Sequence, residues 1–472
     1  MHRSSLAVAA ALLLGGCIPI RHIPHQSSMA LTPEARVAQL LRAHPLVDGH
    51  NDLMGHYHAC GKACPRGLDG YDIRASAAGD TDIPRWRAGG VGAQLLNAGW
   101  REDEPGLERT LKGVAFARAL VARHPGDLAL AMSAADVRRH HAQGRIAVLL
   151  ALEDPRRLGR DEATVQRLAR EGIRANVLAY SGPTAFADGH AGPARHGGLS
   201  AEGAAMVGWM ERAGMLVDLS HASAETARDV LDVARAPVIF SHSNAAALAD
   251  VPRNVPDDVL RRLPANGGVV MVGFVPYFAS KAFADWMTLG DAHWESLLRQ
   301  HGGDRDKAGE DMARWEAEHP PPRVGIADIA DHIDHIRKVA GVDHVGIGAD
   351  FDGIAFKVDG LEDVSRYPQL LMELARRGWR DDELAKLAGG NFLRVLEVAD
   401  GASQNGVRFT YPGVGRAGAG SPPPLACGAW AYTAQHDAFS PCLCLVVDAV
   451  CARRLGCGAS FRSATSAPVG RA

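Results

Sequence analysis

Largely apolar runs, several of which end on a polar residue, recur along this chain, and each is separated from the next by about a helix length. The runs are Val47 to Leu53, Val91 to Ala98, Ile146 to Glu153, Ala175 to Ser181, Met215 to His221, Val238 to His242, Val269 to Phe274 and Val345 to Asp350. A strand that is apolar on both faces must be covered on both, which is the situation of parallel strands packed under helices. The intervening segments read as helices: Ser200 caps one that stops at Gly214, and Ile326, Ile329, Ile333, Ile336 and Ala340 fall at helical spacing. Such a series predicts an α/β chain closed into a (β/α)8 TIM-type barrel. The alternative is an open doubly wound sheet. No GxGxxG follows the first run, however, and the polar run ends are spread along the series rather than gathered at one switch point.

The polar ends carry the chemistry. His50 and Asp52 lie two apart, so on an extended chain an imidazole and a carboxylate leave the same face, and Gly49 between the strand residues allows close backbone approach. An isolated HxD is a common pattern and a weak signal by itself. Glu153, His221 and His242 close later runs in the same way, and a barrel gathers such residues at the C-terminal end of its strands. Imidazole and carboxylate donors suit zinc, with manganese or iron as alternatives. His50, His221 and His242 with Asp52 and Glu153 exceed what one tetrahedral ion needs, so two metal ions sharing Glu153 are expected. A carboxylated lysine as bridge is excluded on strands three to six, because no lysine occurs between Lys112 and Lys281.

These residues carry a family resemblance. From about Leu46 to Val398 the chain resembles the membrane dipeptidase (renal dipeptidase) family of zinc metallopeptidases, a metal-dependent hydrolase group. The matches are HND at His50 to Asp52, Glu153, a SHAS-like stretch at Ser220 to Ser223, SHS at Ser241 to Ser243, RNVPDD at Arg253 to Asp258 and DFDG at Asp350 to Gly353. The resemblance implies two Zn2+ per subunit, with His50 and Asp52 on one, His221 and His242 on the other and Glu153 bridging. It implies that Arg253 holds the terminal carboxylate of a dipeptide and that Asp350 acts beside the bridging water. A hydroxide shared by two zinc ions would attack the peptide carbonyl, with Asp350 carrying the proton to the leaving amine. The guanidinium fork of Arg253 matches a carboxylate, which would select dipeptides over longer chains. The chain departs from the family pattern at Asp154-Pro155, where glycines are common, and at Tyr180, which stands at the position of a substrate-contacting histidine. Tyr180 is therefore a candidate substrate contact, and tailoring of a secreted peptide-like metabolite is the alternative activity.

Other polar residues read as structural. His332 and His335 flank the apolar face of a helix, and His56, His58, His190 and His196 fall in loops. Asp352 lies two beyond Asp350 and competes with it for the catalytic role; Asp350 is preferred because it closes the apolar run. The stretch from Val275 to Pro322, with Tyr277, Phe278, Phe283, Trp286 and Trp294, interrupts the rhythm as a lid or subunit contact, and a homodimer would use it in the second case. Its aromatics read as packing.

The remaining sequence divides into an expected domain at 29–400 and two ends. Met1-His2-Arg3 followed by Leu6 to Leu14 has the form of an export signal, and Leu14 to Cys17 resembles a lipobox. Lipidation of Cys17 would tether the protein outside the cytoplasm. A translation start at Met29 is the competing reading and implies a cytoplasmic protein; Thr32 and Pro33 then open the first helix. Cys60 and Cys64 read as a loop staple. Residues 401–472 turn to Gly, Ala, Ser and Pro with several cysteines, and read as a disulfide-linked appendage, a disordered tail or a reading-frame extension. With 51 basic against 54 acidic residues and a net charge of −3, no electrostatic footprint for nucleic acid is present, and none is expected as a partner.

Overall fold

The structure, a computed structural model, describes residues 31–58, 67–75, 78–99 and 106–404. The export signal, Cys17, Met29, the Cys60–Cys64 pair and all but the first residues of the C-terminal tail lie outside them. The strands are β1 Leu46–Asn51, β2 Val91–Asn97, β3 Leu128–Leu130, β4 Ile146–Leu152, β5 Ile173–Val177, β6 Leu216–Asp218, β7 Ile239–Phe240, β8 Val269–Val272 and β9 Val345–Ile347. Hydrogen bonding runs in the order β2-β1-β9-β8-β7-β6-β5-β4, and β2 pairs with β4, so the eight-stranded parallel ring closes as a (β/α)8 barrel.

One strand stands outside the ring. β3 pairs in parallel with the first half of β4, from Leu128 opposite Ile146 to Leu130 opposite Val148, while β5 pairs with the second half from Leu150 onward. The whole other side of β4 is taken by β2, Ala93 to Asn97 against Ala147 to Ala151.

Every residue of β1, β2, β4 and β5 is buried, including polar ones such as Asp48, Gln94 and Asn176, as strands covered on both faces require. Inside the ring, Val47, Ala93, Leu95, Leu149, Val269 and Met271 pack with Phe392, Val395 and Leu396 of the C-terminal helix Asn391–Gln404. That helix closes the N-terminal end of the barrel: Asn391 donates to the carbonyls of Val342 and Val345, and Arg394 to that of Gly267. Gly49 is required by the close approach there, since a Cβ at this position would lie 2.4 Å from the Ser241 carbonyl oxygen and 2.6 Å from Met271 Sδ.

The outer layer follows its sequence signals. Thr32 accepts the Ala35 N–H at 3.2 Å to cap Pro33–Ala43, and Ser200 accepts that of Gly203 at 3.0 Å to cap Ala201–Arg212. Helix Ile326–Ala340 buries Ile329, Ile333, Ile336 and Ala340. His332 on that helix is wholly buried between the Ala245 N–H and the Ala279 carbonyl, a structural role as expected.

The interruption after β8 is helical: Pro276–Ala279, Lys281–Gln300 and Arg305–Glu318. The two long helices share a small core of Trp294, Leu297, Ala308 and Met312. Phe283 and Trp286 pack edge-on against Phe356 of the loop after β9. These aromatics are packing residues, as their sequence setting suggested. Among the described residues no helix is long and apolar enough to cross a membrane.

Candidate metal centre

The C-terminal ends of the barrel strands converge as a TIM-type fold demands. β1 is tied to its neighbours by Asp48, a buried carboxylate that accepts from Gln94 Nε2 at 2.9 Å, Tyr367 Oη at 2.7 Å and the Ala349 N–H at 2.7 Å. With the strand so anchored, His50 and Asp52 meet: His50 Nε2 lies 3.6 Å from Asp52 Oδ2.

Glu153, which follows β4, occupies the centre. Its Oε1 lies 2.9 Å from His221 Nε2, 3.4 Å from His242 Nε2 and 3.6 Å from His50 Nε2. His221 and His242 bring their own Nε2 atoms to 3.1 Å of each other. Asp350 Oδ1 is 3.9 Å from His50 Nε2 on the far side. Two overlapping sets among the described residues have donor atoms close enough to hold one ion, His50–Glu153–His242 and His50–Asp52–Asp350. This partition differs from the sequence expectation, which paired His242 with His221 and left Asp350 out of the ligand set. The six residues nonetheless form one buried cluster.

The backbone is bent to reach it. His221, Asp350 and Asp352 are the non-glycine residues with positive φ among the described residues, at 70°, 67° and 64°. Left-handed backbone costs a side-chain-bearing residue free energy, and it persists where surrounding contacts hold it, commonly at functional sites.

The electrostatics point to cations. Burial alone would depress the pKa of His50, yet Glu153, Asp52 and Asp350 hold it up to about 10, so the carboxylates around it favour positive charge. Burial pushes Asp350 up to about 7, with Asp52 and Glu153 adding to the shift and His50 and Arg253 opposing it. His221 is driven down to about 3 and His242 well below the usual imidazole range, both chiefly by burial. Neutral imidazoles are the form that binds metal. Ser241 Oγ lies 2.7 Å from His242 Nδ1 and leaves Nε2 facing the cluster. His50 Nε2 is buried without a hydrogen-bond partner, an orphan that a metal ion would satisfy. The donors present therefore fit a metal centre.

Arg253 and Tyr180 flank the cluster. Arg253 is 5% exposed, donates through Nη1 to Ser243 Oγ at 2.9 Å and stacks over Phe278 at 5.0 Å. Its Nη2 is buried with no partner, which leaves a donor for an anionic group. Tyr180 lies just past β5 with its ring stacked on His221, centroids 4.5 Å apart. It lines a cleft with Asn97, Glu153, Asp154 and Arg157.

Asp352 turns away from the centre. Its Oδ1 lies 2.8 Å from His56 Nε2 and accepts the Asp80 N–H at 2.6 Å. His190, read as a loop residue, packs beside His221 with ring centroids 5.5 Å apart. Asn97 escaped the sequence reading altogether, although it closes β2 and bonds to both Asp52 and Glu153. The signal was its place at the end of an apolar run.

Comparison with known proteins gives the family. The family model described as membrane dipeptidase (Peptidase family M19) matches residues 34–406. Dipeptidase aclJ of Aspergillus oryzae is 36% identical over 377 residues, covering 76% of this chain and 79% of that protein. Dipeptidase verJ of Clonostachys rogersoniana is 33% identical over 401 residues, covering 80% and 91%. Among solved structures, the probable dipeptidase PvdM from Pseudomonas aeruginosa has the same fold, with a TM-score of 0.66 at 23% identity, covering 78% of this chain and 99% of that one. A metallopeptidase from Rhodobacter sphaeroides, liganded with a phosphinate mimic of the dipeptide L-Ala-D-Ala, gives a TM-score of 0.59 at 23% identity over 75% and 99%. The chain belongs to the membrane dipeptidase family, Peptidase family M19, and is a metal-dependent dipeptidase of that kind.

Proposed function

We propose that the protein hydrolyses the peptide bond of dipeptides at a centre that holds two zinc ions. The observation that supports it best is Glu153 Oε1, one carboxylate oxygen with three imidazole Nε2 atoms within 3.6 Å. His50 and Asp52 would hold one ion, His221 and His242 the other, and Glu153 both. When bound, such a pair supplies an activated water and a Lewis acid for the scissile carbonyl.

The other roles belong to the chain itself. Arg253 offers its unpartnered Nη2 to the substrate's terminal carboxylate, with Nη1 already fixed on Ser243. A longer peptide would place a neutral amide against that buried cation, which disfavours it. Asp350 is buried beside His50, and its raised pKa suits a group that takes a proton near neutral pH and returns it to the leaving amine. Tyr180 lines the cleft, and its hydroxyl would donate to the carbonyl oxygen as charge develops there. The liganded Rhodobacter sphaeroides metallopeptidase suggests including D-residues at the second position.

A panel of dipeptides with L- or D-residues at the second position, assayed on protein whose metal content is measured on the same sample, tests the proposal. Hydrolysis by protein carrying two zinc ions is expected. Full activity with one ion would overturn the paired centre, and full metal loading without turnover of any dipeptide would overturn the activity.

A further inference from the structure

Asn97 touches two carboxylates of the metal centre, Asp52 and Glu153. The residue is 4% exposed, at the end of β2 and between β1 and β4. The orientation of the amide follows from its contacts: Oδ1 accepts the Gly99 N–H at 3.0 Å, so the nitrogen faces the opposite way. That nitrogen donates to Asp52 Oδ1 at 2.9 Å and to Glu153 Oε2 at 3.1 Å. The other oxygen of each carboxylate, Asp52 Oδ2 and Glu153 Oε1, lies 3.6 Å from His50 Nε2. One amide therefore holds the rear oxygen of both carboxylates and aims the front oxygen of each into the cluster.

We infer that Asn97 is a positioning residue that couples the two metal sites, fixing Asp52 and Glu153 as one unit so that the affinities for both ions depend on it. This rests on the two-ion reading above. The chemistry explains why an amide stands here. Two hydrogen bonds are needed from one short side chain, and a neutral donor supplies them without the positive charge by which lysine or arginine would compete with the ions. With its rear oxygen engaged, neither carboxylate is free to swing round and chelate one ion with both oxygens. Hydrogen-bond partners of metal ligands act in this way, and their loss typically weakens metal binding by roughly 10–100-fold.

The test uses the metal-free full chain, its Asn97→Leu variant, which keeps the volume, and Asn97→Ala, which leaves room for water if leucine prevents folding. Cooperative melting of each metal-free protein establishes that it folds. Zn2+ is titrated against a chromophoric chelator, and Co2+ is then bound at saturation and its visible spectrum recorded. The expected result is two ions in the parent, weakening of both binding steps by about 10–100-fold in the variants, and an altered cobalt spectrum that reports rearranged ligands. Variants with parental affinities and spectrum, or with the loss confined to one step, overturn the coupling while the paired centre stands. A parent that takes up a single ion overturns both.

Discussion

Asp350 and Asp352 lie two residues apart with nearly the same left-handed backbone, φ 67° and 64°, yet their carboxylates belong to different systems. Asp350 Oδ1 faces His50 at 3.9 Å, whereas Asp352 Oδ1 lies against His56 and the Asp80 N–H. Asp352 accordingly fastens the loop after β9 to the segment ahead of Ile83–Ala88, and Asp350 faces the metal cluster. Gly353 is pressed against Asp52 and Asp350, since a Cβ there would sit 2.4 Å from Asp52 Oδ2 and 2.6 Å from Asp350 Oδ1.

Asp350→Asn should therefore keep its metals and lose turnover on the order of 10²–10⁴-fold, the usual cost of removing a proton carrier. Asp352→Asn should be milder, because it disturbs the reacting groups only through the loop. Steady-state kinetics with metal analysis on both variants checks this. The reverse order of losses would transfer the catalytic role to Asp352.

Glu153 gives a prediction about composition. Its Oε1 is the common neighbour of His50, His221 and His242, so in the proposed two-ion centre Glu153→Ala would remove a ligand from both ions at once. It also leaves Asn97 with only one carboxylate to serve. Elemental analysis of the purified variant should show loss of at least one ion. Full occupancy would rule out Glu153 as a bridge.

Arg253 should read the free C-terminus of the substrate. Its Nη2 is buried and unpartnered, so a carboxylate there would gain a charge-assisted bond in a dry setting. Arg253→Met is expected to weaken hydrolysis of dipeptides and to leave their C-terminal amides little affected, measured as kcat/KM for matched pairs. Equal losses on acid and amide would remove the carboxylate clamp.

The barrel was legible because strands buried on both faces are largely apolar, as β4 Ile146–Leu152 is throughout, and the few polar residues inside the other runs, such as Asp48 and Gln94, are buried against each other. β3 was not, since Leu128–Leu130 is only three residues long and is held by pairing with half of β4, a tertiary contact with no sequence pattern of its own. His50, Asp52, Glu153, His221 and His242 stood out because polar residues at the ends of buried strands need partners. Asn97 stood at such an end too, but an asparagine there looks the same whether it faces solvent or two carboxylates. Its partners lie 45 and 56 residues away. The competition between Asp350 and Asp352 was likewise beyond sequence spacing, because both residues adopt left-handed backbone and the strand alternation that would order them no longer applies.

Tyr180 separates packing from chemistry. Its ring stacks on His221 at 4.5 Å with the planes 25° apart, so the aromatic face helps to hold that histidine in place. Tyr180 also lines the cleft beside Glu153, where a substrate would enter. Tyr180→Phe preserves the stack and removes only the hydroxyl, which makes it the informative change. If the hydroxyl donates to the developing oxyanion, kcat should fall by roughly 10²–10³-fold, the usual loss for one such donor, with metal content unchanged. Tyr180→Ala removes the stack as well, and should add a loss of metal affinity through His221. Unaltered kcat in the phenylalanine variant would reduce Tyr180 to its packing role and leave the metal centre and Asp350 to carry the reaction.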